Sequence, residues 1–265
     1  MSAALQGRPL AGGPHAGGAV LLELRGLDKR FGATRALRQV DLAFMTGEVH
    51  AIVGENGAGK STLIKLLTGV ITPSAGEIIW QGQRVEIATP QDAMALGINA
   101  VHQEVLSCPH LSVAANLFLG DEQQRFFLLR HDDMARAAQR ILDDMGFSIS
   151  ARAELSSLTI GQQQLVATAR AATRGTKFLI FDEPTAYLTR QESAALFALI
   201  RRLTLAGVTI VYISHRLEEV FELSDRVSIL RDGQKVLTTR TAETDEAALI
   251  HGMINRSIDQ VFHKD

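Results

Sequence analysis

Two short segments of this chain carry residue types in an order suited to phosphate chemistry. The first is Gly54-Glu55-Asn56-Gly57-Ala58-Gly59-Lys60-Ser61-Thr62, which follows an apolar run over 49–53 and fits G-x-x-x-x-G-K-[S/T]. Its glycines let the backbone curl so that successive N–H groups point inward at phosphate oxygens. A helix opening at Lys60 adds the positive end of its dipole. In that arrangement Lys60 reaches the β- and γ-phosphates of a nucleotide, and the Ser61 hydroxyl ligates Mg2+. A plain turn between strand and helix asks for no lysine there. The second segment is an apolar strand over 178–181 that runs into Asp182 and Glu183 at its C-terminal end, where open α/β sheets bind ligands. Asp182 is suited to holding Mg2+ through water. Glu183 is suited to orienting or deprotonating a water that attacks the γ-phosphate.

These side chains need a scaffold, and the hydrophobic pattern describes one. Short apolar runs bounded by glycine or charge predict strands over 20–24, 40–44, 49–53, 77–80, 98–102, 178–181, 208–213, 227–230 and 235–238. The runs 49–53, 178–181 and 208–213 are nearly continuous in apolar residues, as in strands buried on both faces of a parallel sheet. Helices are expected between them over 60–68, 90–96, 189–205 and 216–223, with Thr89 as N-cap and Pro90 at the first position of the second. This alternation is that of an α/β fold. Two more helices, 132–145 and 160–173, follow each other with no strand between. A helical subdomain inserted between Gln103 and about Gly175 is the simplest account. No internal repeat or long linker interrupts the pattern, so the chain reads as one unit.

Composition narrows the possibilities further. The 265 residues are 46% hydrophobic, enough for a substantial core, and 27 Lys+Arg against 29 Asp+Glu leave a net charge of −2. Neither sign forms a long block, which argues against a nucleic-acid partner. A single cysteine, Cys108, excludes an intrachain disulfide and a cysteine-cluster metal site, and is expected as a small buried hydrophobe. The longest charge-free stretch, 105–120, is broken by Ser107, Pro109, His110 and Asn116 and is too short to span a membrane. Residues 1–19 are rich in Gly, Ala and Pro without a basic start or apolar core, the composition of a disordered tail rather than a signal peptide.

Four further features stand in a telling order. Phe31 follows the first strand, and Gln103 follows the strand that precedes the helical insert. Leu158-Thr159-Ile160-Gly161-Gln162-Gln163-Gln164 opens a helix before Asp182. His215, in Val211-Tyr212-Ile213-Ser214-His215, closes a later strand. Alone, Phe31 reads as core, Gln103 as a solvated strand end and His215 as structural. Together they resemble the adenine-stacking aromatic, Q-loop, signature motif and switch histidine of ABC-type ATPases. The resemblance covers residues 20 to about 259. Val101-His102-Gln103-Glu104, Ile160-Gly161-Gln162-Gln163-Gln164, Asp182-Glu183-Pro184-Thr185-Ala186-Tyr187-Leu188-Thr189 and Tyr212-Ile213-Ser214-His215-Arg216-Leu217 narrow it. They are similar to the first half of the tandem ATPase subunits that energise bacterial monosaccharide importers of the ribose, galactose and xylose type. Relatives handling polyols or furanosyl signalling molecules share these phrases.

The resemblance implies a P-loop NTPase fold of the ABC-ATPase type: a RecA-like core with a β-subdomain and an inserted helical subdomain. The domain would occupy 20–259, with the insert at about 104–175 and tails at 1–19 and 260–265. It implies ATP with Mg2+, adenine on Phe31, phosphates over Gly54–Thr62, and metal held by Ser61, Gln103 and Asp182. Glu183, His215 and Gln103 would be catalytic. Thr159, Gly161 and Gln162 would face, in trans, the nucleotide of a second ATPase unit. Transmembrane permease subunits and, indirectly, a periplasmic or extracellular solute-binding protein are the other implied partners, with this chain peripheral at the cytoplasmic face of the bacterial membrane. Two departures stand out: Ile160 replaces the first signature glycine, where a β-branched side chain weakens backbone approach to phosphate, and Thr189 stands where an aspartate is usual. They leave open an ATP-dependent dimerisation switch without useful hydrolysis. A soluble ABC ATPase of DNA repair or translation is a third reading, which the neutral charge opposes.

Overall fold

The computed structural model describes residues 18–101, 107–119 and 131–254. Residues 1–17 of the expected tail at 1–19, the expected tail at 260–265 and Gln103 lie outside them. Two sheets form the frame. Strands β1 (Val20–Phe31), β2 (Thr34–Met45), β4 (Ala75–Trp80) and β5 (Gln83–Val85) make a four-stranded antiparallel sheet in the order β2-β1-β4-β5. The second sheet holds β3 (Val49–Val53), β6 (Ile98–Val101), β7 (Phe178–Asp182), β8 (Thr209–Ile213), β9 (Arg226–Arg231) and β10 (Gln234–Arg240). Its order is β10-β9-β3-β8-β7-β6, parallel throughout except for β10. That order puts β8 between β3 and β7, so the ends of these three strands emerge side by side, about 5 Å apart.

Helices cover both faces. They are α1 (Lys60–Leu67), α2 (Pro90–Leu96), α3 (Val113–Phe118), α4 (His131–Met145), α5 (Ile160–Ala172), α6 (Arg190–Leu205), α7 (Leu217–Leu223) and α8 (Glu246–Ile254). On β7 the side chains alternate with period two. Phe178 and Ile180 face a core shared with Leu24 and Phe44 of the antiparallel sheet and Leu63 of α1. Leu179 and Phe181 face a second core with Leu196 of α6 and with Leu117, Leu142 and Leu165 of α3–α5. Burying each of these four β7 side chains contributes about 2 kcal/mol, enough to hold the strand end rigid. A smaller cluster sets α7 and α8 against β3 and β9 through Val220, Leu249, Val53 and Ile229.

The chain departs from the sequence expectations in particular places. β1 and β2 run well beyond 20–24 and 40–44 because they form a hairpin closed by Gly32 and Ala33, whose polar outer face breaks the apolar runs. β5 is a short polar edge strand, visible only through its pairing with β4. α3 was not expected: it is six residues long and starts at the Ser112 cap. α8 was not expected either; Leu249 packs it onto the sheet. α2 matches its expected span, with Thr89 and Asp92 completing a reciprocal cap behind Pro90. Cys108 is half-buried rather than buried, because it lies in the loop that Asn116 ties together by bonding the Cys108 backbone at both N–H and carbonyl. Among the described residues no helix is long and apolar enough to cross a membrane.

Candidate functional site

The fully buried strand β3 ends at Val53, and the chain then turns through 54–59 into α1. Steric demands select glycine here. A Cβ on Gly54 would lie 2.2 Å from the Leu230 carbonyl oxygen, and one on Gly59 would meet the Leu37 side chain at 2.7 Å. Gly59 also has φ 108, a conformation other residues avoid, and it caps α1. Lys60 folds back over the loop, its Nζ donating to the carbonyls of Gly54 (2.6 Å) and Glu55 (3.0 Å). Burial pushes the Lys60 ammonium below its ordinary value, and the charges of Glu183 and Asp182 partly offset this.

A cavity of about 240 Å3 opens beside the loop, lined by Ala36, Asn56, Gly57, Gly59, Lys60, Ser61, Thr62, Asp182 and Glu183. The structure thus brings together two motifs that are more than a hundred residues apart in sequence. Glu55 is exposed, and Gly54 and Ala58 are buried beneath the loop rather than lining the cavity. Ala36, from the β1–β2 hairpin, was not foreseen; no apolar run or motif singles it out. Phe31 is half-exposed at the end of β1, with Lys29 Nζ 5.1 Å from the ring centroid, and does not line the cavity.

Glu183 occupies the left-handed region at φ 49, an uncommon state for a residue with a side chain. Its N–H donates to Ile213 at the end of β8 (2.9 Å), which holds the turn against that strand. Two residues on, His215 places Nδ1 3.1 Å from Glu183 Oε1, and its side chain is 61% exposed. The carboxylate and histidine singled out separately in the sequence are therefore in direct contact.

The oxygen donors suit Mg2+. Ser61 and Asp182 line the same cavity, while no group of three or more His, Cys, Asp or Glu residues placed to hold a metal occurs among the described residues. Mg2+ characteristically takes one or two protein oxygens and completes its shell with phosphate and water.

Thr159, Gly161 and Gln162 lie apart from the cavity lining, at the start of α5. Thr159 Oγ1 accepts from the Gln162 N–H and Gln162 Oε1 accepts from the Thr159 N–H, both at 3.2 Å. Gly161 is buried, and a Cβ there would stand 2.6 Å from the Tyr187 carbonyl. Next to it Ile160 is 57% exposed and Tyr187 52% exposed. Thr189, at the position where the resemblance leads one to expect aspartate, caps α6 with Glu192, a role threonine and aspartate both perform.

Residues 37–186 match the protein family described as ABC transporter. The chain is 45% identical over 245 residues to the ribose import ATP-binding protein RbsA 2 of Escherichia coli O157:H7, covering 92% of this chain and 48% of that protein. It is 40% identical over 246 residues to a ribose import ATP-binding protein of Agrobacterium fabrum, again covering 92% and 48%. The chain thus spans about half the length of the curated relatives it matches. Among solved structures, a nucleotide-free ATP-binding cassette from an ABC transporter superposes with a TM-score of 0.77 at 23% identity, covering 93% of this chain and all of the other. The cbiO1 protein of Clostridium perfringens gives a TM-score of 0.73 at 25% identity, covering 92% and 98%.

Proposed function

The chain belongs to the ABC transporter family, and on that premise we propose that it binds and hydrolyses ATP to drive import of a sugar or sugar-like solute. The observation that carries this reading is the convergence, at neighbouring strand ends, of the glycine-rich loop after β3, Asp182-Glu183 at the end of β7 and His215 after β8. The names of the ribose-import relatives supply the solute class.

In this reading the N–H groups of the loop and Lys60 hold the β- and γ-phosphates, Lys60 exchanging its two carbonyl partners for phosphate oxygens. Phe31, exposed at the end of β1, offers its ring to the adenine. Ser61 and Asp182 would hold Mg2+, with Gln103 as a third ligand, and the ion would neutralise charge on the phosphates. Glu183 accepts the proton of the attacking water while His215 fixes the carboxylate from its other side. Thr159, Gly161 and Gln162 present the start of α5 to nucleotide held by a second ATPase unit. The remaining partners are permease subunits in the membrane, which place this chain at its cytoplasmic face, and a solute-binding protein outside.

Phosphate release measured on the chain alone and with a second ATPase unit tests the motor. Turnover that Lys60→Ala abolishes, together with nucleotide binding, is expected in at least one condition. Nucleotide-driven dimerisation with no turnover in either would establish the switch instead. ATP-dependent uptake of labelled monosaccharides by vesicles bearing the assembled transporter tests the solute class.

A further inference from the structure

One carboxylate joins the two turns that carry Glu183 and His215. Glu219 lies on α7 between Leu217 and Val220, and its side chain is only 12% exposed. Oε1 accepts from Thr185 Oγ1 at 2.7 Å and from Arg216 Nη1 at 3.4 Å. Oε2 accepts from the Tyr212 hydroxyl at 2.7 Å and from Ser214 Oγ at 3.1 Å. The Ser214 oxygen in turn accepts the Arg216 N–H at 3.0 Å, which pins the turn on both sides of His215. Thr185 is buried two residues after Glu183, in the turn that follows the left-handed residue. Tyr212 anchors the assembly to the sheet: it is fully buried on β8, and burial together with the Glu219 charge raises its hydroxyl far above the ordinary value. With three hydroxyl donors and a guanidinium around it, both oxygens of Glu219 are satisfied, and the network ties the two turns together.

We propose that Glu219 is a positioning residue for hydrolysis, setting the Glu183–His215 contact by holding Thr185 and Ser214 on one carboxylate. The proposal rests on the reading that Glu183 and His215 act on the attacking water. Glu219 touches neither of them and is distant in role from the phosphate loop, so it should govern turnover and leave nucleotide binding alone. Glutamine at 219 keeps the shape but turns one acceptor into a donor, and whichever side the amide takes, it faces groups already donating.

The test uses the full chain with its second ATPase unit. Glu219→Gln and Glu219→Ala are expected to lower kcat by about 10–100-fold with KM for ATP and the affinity of a fluorescent ATP analogue within about twofold of the parent. In a His215→Ala background, substituting Glu219 should cost less than about twofold more, because both residues serve one contact. Parent-like kcat in a folded Glu219 variant would overturn the proposal, as would a fully additive loss in the His215→Ala background. Should the Glu219 variants melt early, Ser214→Ala and Thr185→Val each remove one arm. Each is expected to lower kcat about 3–10-fold at unchanged KM, and parent-like kcat in both overturns the proposal. Absence of turnover in the parent chain would instead remove the hydrolytic reading, and the positioning role with it.

Discussion

Glu48–His50 and Glu183–His215 share one contact, imidazole Nδ1 to carboxylate Oε1 at 3.1 Å, in opposite surroundings. His50 sits fully buried near the start of β3. Its Nε2 meets Ser228 Oγ at 2.8 Å, and Ser228 meets Thr238 in turn. Phe44 packs on the ring at 4.9 Å between centroids. Burial pushes the His50 imidazole below its ordinary value, and Glu48 only partly counters this. Burial also acts to raise the Glu48 carboxyl, yet the His50 hydrogen bond, the Met45 N–H and the nearby Arg226 bring it below its ordinary value. Both directions favour a neutral imidazole beside a carboxylate. His215 lies mostly in solvent, and its partner Glu183 stands in a strained backbone conformation at the cavity wall. The same two groups thus meet once in the core, where water is excluded, and once beside the cavity, where water enters.

The largest expected difference between the pairs is in turnover. Glu183→Gln should lower kcat by about 10²–10³-fold while ATP binding persists, as general-base loss does; phosphate release and nucleotide titration check both halves. Next comes stability. His50→Ala should destabilise the fold by about 3 kcal/mol in denaturant unfolding, because it opens a cavity and strands Ser228 and Glu48. The pH response should follow His50 as well. Its folded pKa lies below the ordinary 6.5, so its contribution is complete above that value and is lost as pH falls from there towards the folded pKa. Unfolding free energies should therefore show a slope of up to about 1.4 kcal/mol per pH unit that His50→Ala removes. Glu183→Gly should abolish turnover yet raise stability by about 0.5–1 kcal/mol, since glycine adopts the left-handed conformation without strain. The smallest effect is expected from His215→Ala, whose unfolding free energy should stay within about 0.5 kcal/mol of the parent. A destabilisation equal to that of His50→Ala would erase the contrast.

Much of the frame could be read from local pattern. The strands 49–53 and 178–181 are nearly continuous apolar runs, and α2 announces itself through Thr89 and Pro90. What escaped was whatever depends on a distant partner. β5 has no apolar signal and exists through β4. α3 is too short to show a helical period, and the outer half of the β1–β2 hairpin is polar because one face meets water. Glu219 gave only a faint sign, a carboxylate between Leu217 and Val220 on the buried face of a helix.

The loop at 54–59 is legible in the chain alone, because its residues are contiguous and the chemistry of glycine N–H groups, Lys60 and Ser61 is local. The sequence also put Asp182 and Glu183 at a strand end, and the resemblance added His215. That Glu183 and His215 touch follows from folding, through the adjacency of β7 and β8 and the left-handed turn at Glu183. Folding likewise decided that Gly161 is small because the Tyr187 carbonyl lies against it, and that Thr189 serves as a helix cap. Burial, which comes from packing between elements far apart in the chain, is what separates the histidine inside the sheet from the histidine that meets Glu183 in solvent.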